Sequence, residues 1–501
     1  MVSKNNTAKP AACLAVLGTG SDVGKSIIAT ALCRYFVRKG MRVAPYKAQN
    51  MSNNSGVTAE GLEMGRAQIV QAEAAKIPPH VDMNPILLKP TSEIGAQVVL
   101  LGRVSENASA TDYHQKKERL FGTAAEALQR LRAANDLIVM EGAGSCAEVN
   151  LMASDIVNLR MAEYARAPVI LVADIHRGGV FAQIIGTLEC LAPAQQDLIK
   201  GFIINRFRGD IRLFEDGVKW IEHKTGKKVF GVLPWYNHIH IEPEDSVVIE
   251  KPNRVIRGNS PEPAIGVIRL PHISNFNDFD PLLILEGIEA CFLEKVQDLS
   301  HFQALILPGS KNTRYDLEWL HSSGWTERIK VYAEQGGHVL GICGGYQMMG
   351  SVVHDPAGLE GKPGSTEGLD LLPVETELKA PKTTTLTGFS WQAANGSGYE
   401  IHMGQTHRKG GKPLFRILSR NSAVAGDDDG CAIRDFRVMG TYIHGIFENP
   451  QITGLWLDSI GLPNIKTSEL EGLDARDKEY DLLAEYFENH IDTQSIIDII
   501  G

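Results

Sequence analysis

The 501-residue chain predicts an α/β protein of two domains, each built on a parallel sheet with ligands at the carboxyl ends of its strands. Three observations carry this. Short β-rich apolar runs alternate with longer segments of helical period from Cys13 to about Val232. The pattern then fails from Ile241 to Pro263, where Pro243, Pro252, Pro261 and Pro263 are interleaved with charges. A second α/β series begins at Ala264, and the length is ample for two separate cores.

The strands expected in the first domain are Cys13–Leu17, Met41–Val43, Leu137–Met140, Pro168–Ala173, Gly201–Ile204 and Val229–Leu233, all too short and too β-branched for helices. Ser26–Lys39 is expected as a helix, because Ile27, Ile28, Ala31, Leu32, Tyr35 and Phe36 share a face before Gly40. Tyr113–Ala134 and Ser154–Ala165 are expected helices too. The second series runs through Ala264–Leu270, Ala304–Leu307 and His338–Ile342. The expected division is 1–240 for the first domain, 241–263 for a linker, 264–460 for the second domain and 461–501 for a helical extension. In that extension Leu482, Leu483, Tyr486 and Phe487 fall at amphipathic spacing and are expected to pack on the second domain.

A net charge of −10 argues against broad phosphate neutralisation, so no general nucleic-acid role is expected. The seven cysteines are scattered, with no C-x-x-C pair and an odd total, which suits a reducing compartment. The polar N-terminus and the short apolar run behind it fit neither a signal peptide nor a membrane span, so a cytoplasmic protein is expected.

The strand Leu14–Leu17 runs into Gly18-Thr19-Gly20-Ser21-Asp22-Val23-Gly24-Lys25-Ser26 and then a helix. Closely approaching backbone N–H groups, a helix start and Lys25 suit the phosphates of ATP, and Ser26 is placed to ligate Mg²⁺. Thr19 stands six residues before Lys25, where the usual phosphate loop has glycine. Glu141 ends the strand Leu137–Met140 and is a candidate second Mg²⁺ ligand, with Asp22 another; either could instead be a solvated loop acid. Asn205, ending Gly201–Ile204, could read the nucleotide base.

The stretch Lys47-Ala48-Gln49-Asn50-Met51-Ser52-Asn53-Asn54-Ser55 is rich in amides, and Lys47, Gln49, Asn50, Asn53 and Ser55 are candidate contacts for a polar, carboxylate-bearing ligand; an Asn-rich turn is the alternative. Arg66, Lys89 and Arg177 add cations.

A second site is predicted where His338–Ile342 ends in Gly341-Ile342-Cys343-Gly344-Gly345-Tyr346-Gln347. A nucleophile on a tight strand-to-helix turn is forced outward, and flanking glycines relieve the turn's strain. Gly309, after the preceding strand, and Gly344 are the expected oxyanion donors. The base is expected at His444, with His402 its competitor. A Mg-nucleotide site and a Cys–His amide hydrolase in one chain suggest glutamine-dependent amidation, in which ammonia displaces an acyl phosphate. A P-loop switch ATPase is the reading from another class.

These residues, together with Met-Asn-Pro-Ile-Leu-Leu-Lys-Pro at 83–90 and Arg-Gly-Gly-Val-Phe-Ala at 177–182, resemble the cobyric acid synthase family of cobalamin biosynthesis from about Leu14 to Phe447. The resemblance implies a dethiobiotin synthetase-like P-loop domain and a flavodoxin-like class I glutamine amidotransferase domain. It implies amidation of the b, d, e and g carboxylates of adenosylcobyrinic acid a,c-diamide, with ATP, L-glutamine and the corrinoid as ligands, Cys343 as nucleophile and His444 as its partner; the related a,c-diamide synthases are the nearest alternative. Two positions depart from the pattern. Ile446 stands where a His-x-Glu acid is common, leaving the third catalytic group unassigned, and His176 replaces the second acid of Asp-Ile-Asp-Arg.

Overall fold

The computed structural model describes residues 10–90, 95–109, 116–236, 238–242, 262–468 and 472–501. Its first half is a six-stranded parallel sheet of β1 (Ala12–Gly18), β2 (Val43–Tyr46), β3 (Leu137–Glu141), β4 (Val169–Asp174), β5 (Ile199–Phe207) and β6 (Lys228–Pro234), in the order β6-β5-β4-β1-β3-β2. β1, β3 and β4 are buried almost end to end, as strands covered on both faces must be. Val16 lies opposite Glu141 and Gly18 opposite Val172, so the tips of all three strands share one edge.

Helix α1 (Lys25–Arg38) follows β1 and is stopped by Gly40 at φ 85°, where Gly40 N–H bonds Val37 O and Met41 N–H bonds Phe36 O. That closing turn uses Met41, which is why the second strand begins at Val43 and not at Met41. The helix expected from Ser154 begins at Leu159, because Asp155 first accepts the N–H groups of Val157 and Asn158 in a side-chain turn. Of the helix expected over 113–134, residues 117–134 are helical and 113–115 lie outside the described residues.

Between β2 and β3 the chain adds helix α2 (Arg66–Ala74), a short hairpin (Ser55–Val57 with Glu63–Gly65) and a small sheet of Gln49–Met51, Ile86–Pro90, Gly95–Leu100 and Arg103–Ser109. The expected linker falls mainly outside the described residues. Its first residues, Ile241 and Glu242, are ordered against the first half, with Glu242 accepting two bonds from Arg66 at 2.6 and 2.7 Å.

The second half holds β7 (Ala264–Ile268), β8 (Glu289–Leu293), β9 (Phe302–Leu307), β10 (His338–Ile342), β13 (Cys431–Ile433) and β14 (Val438–Thr441), ordered β8-β7-β9-β10-β14-β13. All neighbours are parallel except β13 and β14. A second, seven-stranded sheet lies between β10 and β13 in the chain, dominated by β11 (Val374–Trp391) and β12 (Ala394–Arg408), and the sequence reading did not anticipate it. Among the described residues no helix is long and apolar enough to cross a membrane.

The C-terminal extension corrects an expectation. Helix α3 (Gly472–His490) packs on the first half, not the second, burying Tyr480, Leu483 and Phe487 in one core with Ile28, Leu32 and Phe230. Spacing shows that a stripe is apolar but not which surface receives it. Polar contacts fix the choice: Arg34, fully buried on α1, meets Asp477, and Tyr480 donates to Glu73 of α2 at 2.7 Å. Phe487→Ala should therefore lower the stability of the nucleotide-binding half by about 3 kcal/mol. In urea unfolding, the nucleotide-protected transition should shift; an unchanged midpoint there would contradict this packing.

Candidate active site

The first cluster is built on the shared edge of β1, β3 and β4. Gly24 precedes α1 at φ 98°, and a Cβ there would lie 2.1 Å from Asn205 Nδ2, so the loop requires glycine at this point. Lys25 Nζ donates to Gly20 O and Gly144 O, both at 2.9 Å. Ser26 Oγ donates to Glu141 Oε1 at 2.8 Å, Lys47 Nζ donates to the same oxygen at 2.9 Å, and Gln71 Nε2 reaches Oε2 at 2.5 Å. A cavity of about 700 Å³ opens here, lined by Ser21, Asp22, Gly24, Lys25 and Ser26 with Lys47, Gln49 and Asn50.

Two hard oxygen donors, Ser26 and Glu141, thus converge beside the phosphate loop, a set that fits Mg²⁺ held largely by phosphate and water. Among the described residues no group of three or more His, Cys, Asp or Glu side chains could hold a metal unaided. Asp22 was a second metal candidate, but its carboxylate is taken by Arg206 at 2.7 Å. Asn205 was a candidate base reader, but its amide donates to Val23 O at 2.9 Å and braces the loop. Thr19 turns its hydroxyl to Gln183 at 3.4 Å, and Val23 packs beneath Gly18. Arg206, which bridges Asp22 and Asp174 and lines the cavity, was missed by sequence reasoning, since it belongs to no phosphate-loop pattern.

The predicted carboxylate-binding residues divide. Lys47, Gln49 and Asn50 face the nucleotide cavity. Asn53 has a buried Oδ1 without a partner among the described residues. Ser55, Arg66 and Lys89 instead lie at the boundary between the halves: Ser55 N–H donates to Asn275 Oδ1 at 3.0 Å, Arg66 lies 3.5 Å from Glu448, and Lys89 Nζ bonds Glu63 at 2.7 Å. Arg177 and His176 stand exposed past β4, with the His176 ring 5.1 Å from that of Trp235.

The second cluster lies at the end of β10. Cys343 has φ 52° and ψ −107°, a conformation that L-residues rarely adopt, between β10 and the short helix Gly344–Met348. A Cβ on Gly345 would come within 1.9 Å of Leu307 O, so the elbow can close only over glycine. Gly309 and Gly344 are also closely packed: a Cβ on Gly309 would lie 3.0 Å from His444 Cε1, and one on Gly344 would lie 2.7 Å from Ser310 N.

His444, three residues past β14, lies beside Cys343, whose Sγ donates to Ile401 O at 3.6 Å. Its Nδ1 meets Asp278 Oδ2 at 2.6 Å, and Asp278 Oδ1 accepts Gly445 N–H at 3.0 Å. The ring stacks on Tyr399 with centroids 5.2 Å apart. Burial alone would disfavour the imidazolium, but the negative charge of Asp278 and of Cys343 overrides it and pushes the His444 pKa up to about 10. A protonated His444 beside Cys343 is thereby suited to pass a proton to a group leaving from that position. The competitor, His402, lines the same pocket with its nitrogens directed to Gly404 O at 2.8 Å and Glu400 at 3.4 Å.

Asp278 is the third group that the sequence left unassigned. It follows β7, 166 residues from His444, and no local spacing marks it.

An elbow cysteine, a buried His–Asp pair and a separate phosphate loop define a glutamine amidotransferase fused to a nucleotide-binding domain. Residues 264–452 match the CobB/CobQ-like glutamine amidotransferase domain, and residues 14–247 match the CobQ/CobB/MinD/ParA nucleotide binding domain. The chain is 50% identical over 494 residues to the cobyric acid synthase of Chlorobium phaeobacteroides (strain BS1), covering 97% of this chain and 99% of that one. It is 47% identical to that of Chlorobaculum tepidum, covering 97% and 98%, and 45% identical to that of Syntrophobacter fumaroxidans, covering 97% and 98%. The chain belongs to the cobyric acid synthase family, whose members are ATP-using, glutamine-dependent amidoligases.

Asp278→Asn removes the charge that raises the His444 pKa, so its proton should leave at lower pH and the alkaline limb of glutamate release should move down. The kcat with glutamine should fall about 100-fold or more, while kcat with ammonia is retained. The pH profile of glutamate release checks both, and an unshifted alkaline limb would contradict the pairing.

Proposed function

We propose that the chain amidates the b, d, e and g carboxylates of adenosylcobyrinic acid a,c-diamide, using ammonia released from glutamine at Cys343. The observation that carries this reading is the Cys343–His444–Asp278 constellation, whose cysteine lines a pocket that also receives Lys89 from the nucleotide-binding half.

Cys343 Sγ attacks the side-chain amide carbon of glutamine, while backbone N–H groups of the Gly309–Ser310 turn and Gly344 face the developing oxyanion. His444 gives its proton to the departing ammonia and takes one from the water that hydrolyses the thioester to glutamate. In the other half a corrinoid carboxylate oxygen attacks the γ-phosphorus of ATP, forming an acyl phosphate and releasing ADP. Ammonia then attacks the acyl carbon, inorganic phosphate leaves and a proton is lost. Lys25 and the backbone of residues 20–25 hold the phosphoryl oxygens. Ser26 and Glu141 would hold Mg²⁺, which when bound neutralises phosphate charge. Lys47 and Gln71, which grip Glu141, keep its carboxylate aimed at Ser26, and Lys47, Gln49 and Asn50 are the candidates to meet the incoming carboxylate.

Cys343→Ser should abolish glutamine-dependent synthesis and leave ammonia-dependent synthesis intact, whereas Lys25→Met should abolish both. Equal loss of both activities in Cys343→Ser would contradict two separate sites. Product mass should show four carboxylate-to-amide conversions; two would favour the a,c-diamide synthase reaction instead.

A further inference from the structure

The pocket beside Cys343 carries more charge than amide hydrolysis needs. It is lined by Lys89, Lys311, Lys382 and Glu360, and Glu63 stands directly behind. Glu63 Oε1 accepts Lys89 and Ser55 Oγ at 2.7 and 2.8 Å, and Glu63 Oε2 accepts Lys382 at 2.7 Å. The side chains of Glu63, Lys89 and Lys382 are only 1%, 3% and 8% exposed. These contacts join the halves, since Glu63 and Lys89 come from the nucleotide-binding half and Lys382 from β11.

Three lysines thus face two acids, so the site offers buried cationic and anionic side chains together, a lining that suits an occupant with both charges. The strain is visible in the cations: burial pulls Lys382 down to about 7 against the pull of Glu63, and lowers Lys311. Burial also raises Glu360 to about 7, despite Lys311 nearby, so a second cation brought to it would be stabilised as well. Glutamine has both charges, an α-carboxylate and an α-ammonium, a short methylene chain away from the amide that must reach Cys343.

We propose that Lys89 and Lys382 hold the α-carboxylate of glutamine and Glu360 its α-ammonium, so that a lysine from the nucleotide-binding half completes the glutaminase site. The assignment rests on the reading of Cys343 as the glutaminase nucleophile. Glutamine then binds fully only where the halves are docked, which ties amide hydrolysis to an assembled enzyme and limits release of ammonia without a use for it.

The test is steady-state kinetics on the full chain with glutamine, with γ-aminobutyramide, which lacks the α-carboxylate, and with glutaramate, which lacks the α-ammonium. Lys89→Met and Lys382→Met should each raise KM for glutamine about 50-fold, as expected for loss of one charge-assisted contact, with ammonia-dependent kcat unchanged. Both should also lose the wild-type preference for glutamine over γ-aminobutyramide, while Glu360→Gln loses the preference over glutaramate. Lys89→Arg should restore most of the affinity. Unchanged KM, or a preference over γ-aminobutyramide that survives in both lysine variants, would overturn the assignment. Glutamine-dependent turnover in Cys343→Ser would instead overturn the underlying glutaminase reading.

Discussion

The two sites depend on one reciprocal contact between the halves. Ser55 N–H donates to Asn275 Oδ1 at 3.0 Å, and Phe276 N–H donates to Asn54 Oδ1 at 3.3 Å, so each strand of the boundary satisfies the other's backbone. Asn275 adopts a left-handed turn at φ 52°, and the chain leaves it directly into Asp278, the residue that orients His444. Asn277, between them, donates to Glu242 at 3.0 Å, and Glu242 grips Arg66 at the start of α2. One and a half turns along that helix, Gln71 holds Glu141 beside the phosphate loop. The Cys343–His444–Asp278 cluster and the phosphate-loop cluster are thus braced by the same short stretch of boundary.

Charge at this boundary is spent on docking as well as on ligands. Arg476 of α3 reaches Glu448 at 2.6 Å and Glu73 at 2.9 Å, tying the C-terminal extension to both halves. Burial would raise the Glu242 carboxyl, but the adjoining Arg66 and Arg476 bring it down to about 2. Because the folded pKa lies below the ordinary carboxylate value, its stabilisation is present above that value and fades only as pH falls toward 2. Such pairs are poor sources of net stability against an apolar alternative, yet removing one partner costs about 3–5 kcal/mol, which makes them effective at fixing a single docking geometry.

Local chemistry explains what was legible beforehand. The phosphate loop, Glu141 at its strand tip, the Cys343 elbow and His444 all lie at strand ends, where a run of β-branched residues and a glycine mark position along the chain. Asp278, Lys382 and Glu360 carry no such mark, because their partners are remote in sequence and only tertiary packing brings Asp278 to His444 and Lys382 and Glu360 to the Cys343 pocket. Arg66 and Lys89 read as ligand cations because nothing in their neighbourhood reveals Glu242 or Glu63 as partners. The extension α3 shows the same limit: its apolar stripe is legible, its receiving surface is not.

The central claim, that docking of the halves assembles the glutaminase site, is tested most directly by the full-length Asn54→Ala/Asn275→Gly variant. Glycine keeps the left-handed turn and removes only the cross-boundary amide. Its kcat/KM for glutamine should fall by about 10-fold or more, as expected when two buried hydrogen bonds are lost, while ammonia-dependent synthesis should fall by less. Glutamine hydrolysis at the wild-type rate and KM in that variant would contradict the account.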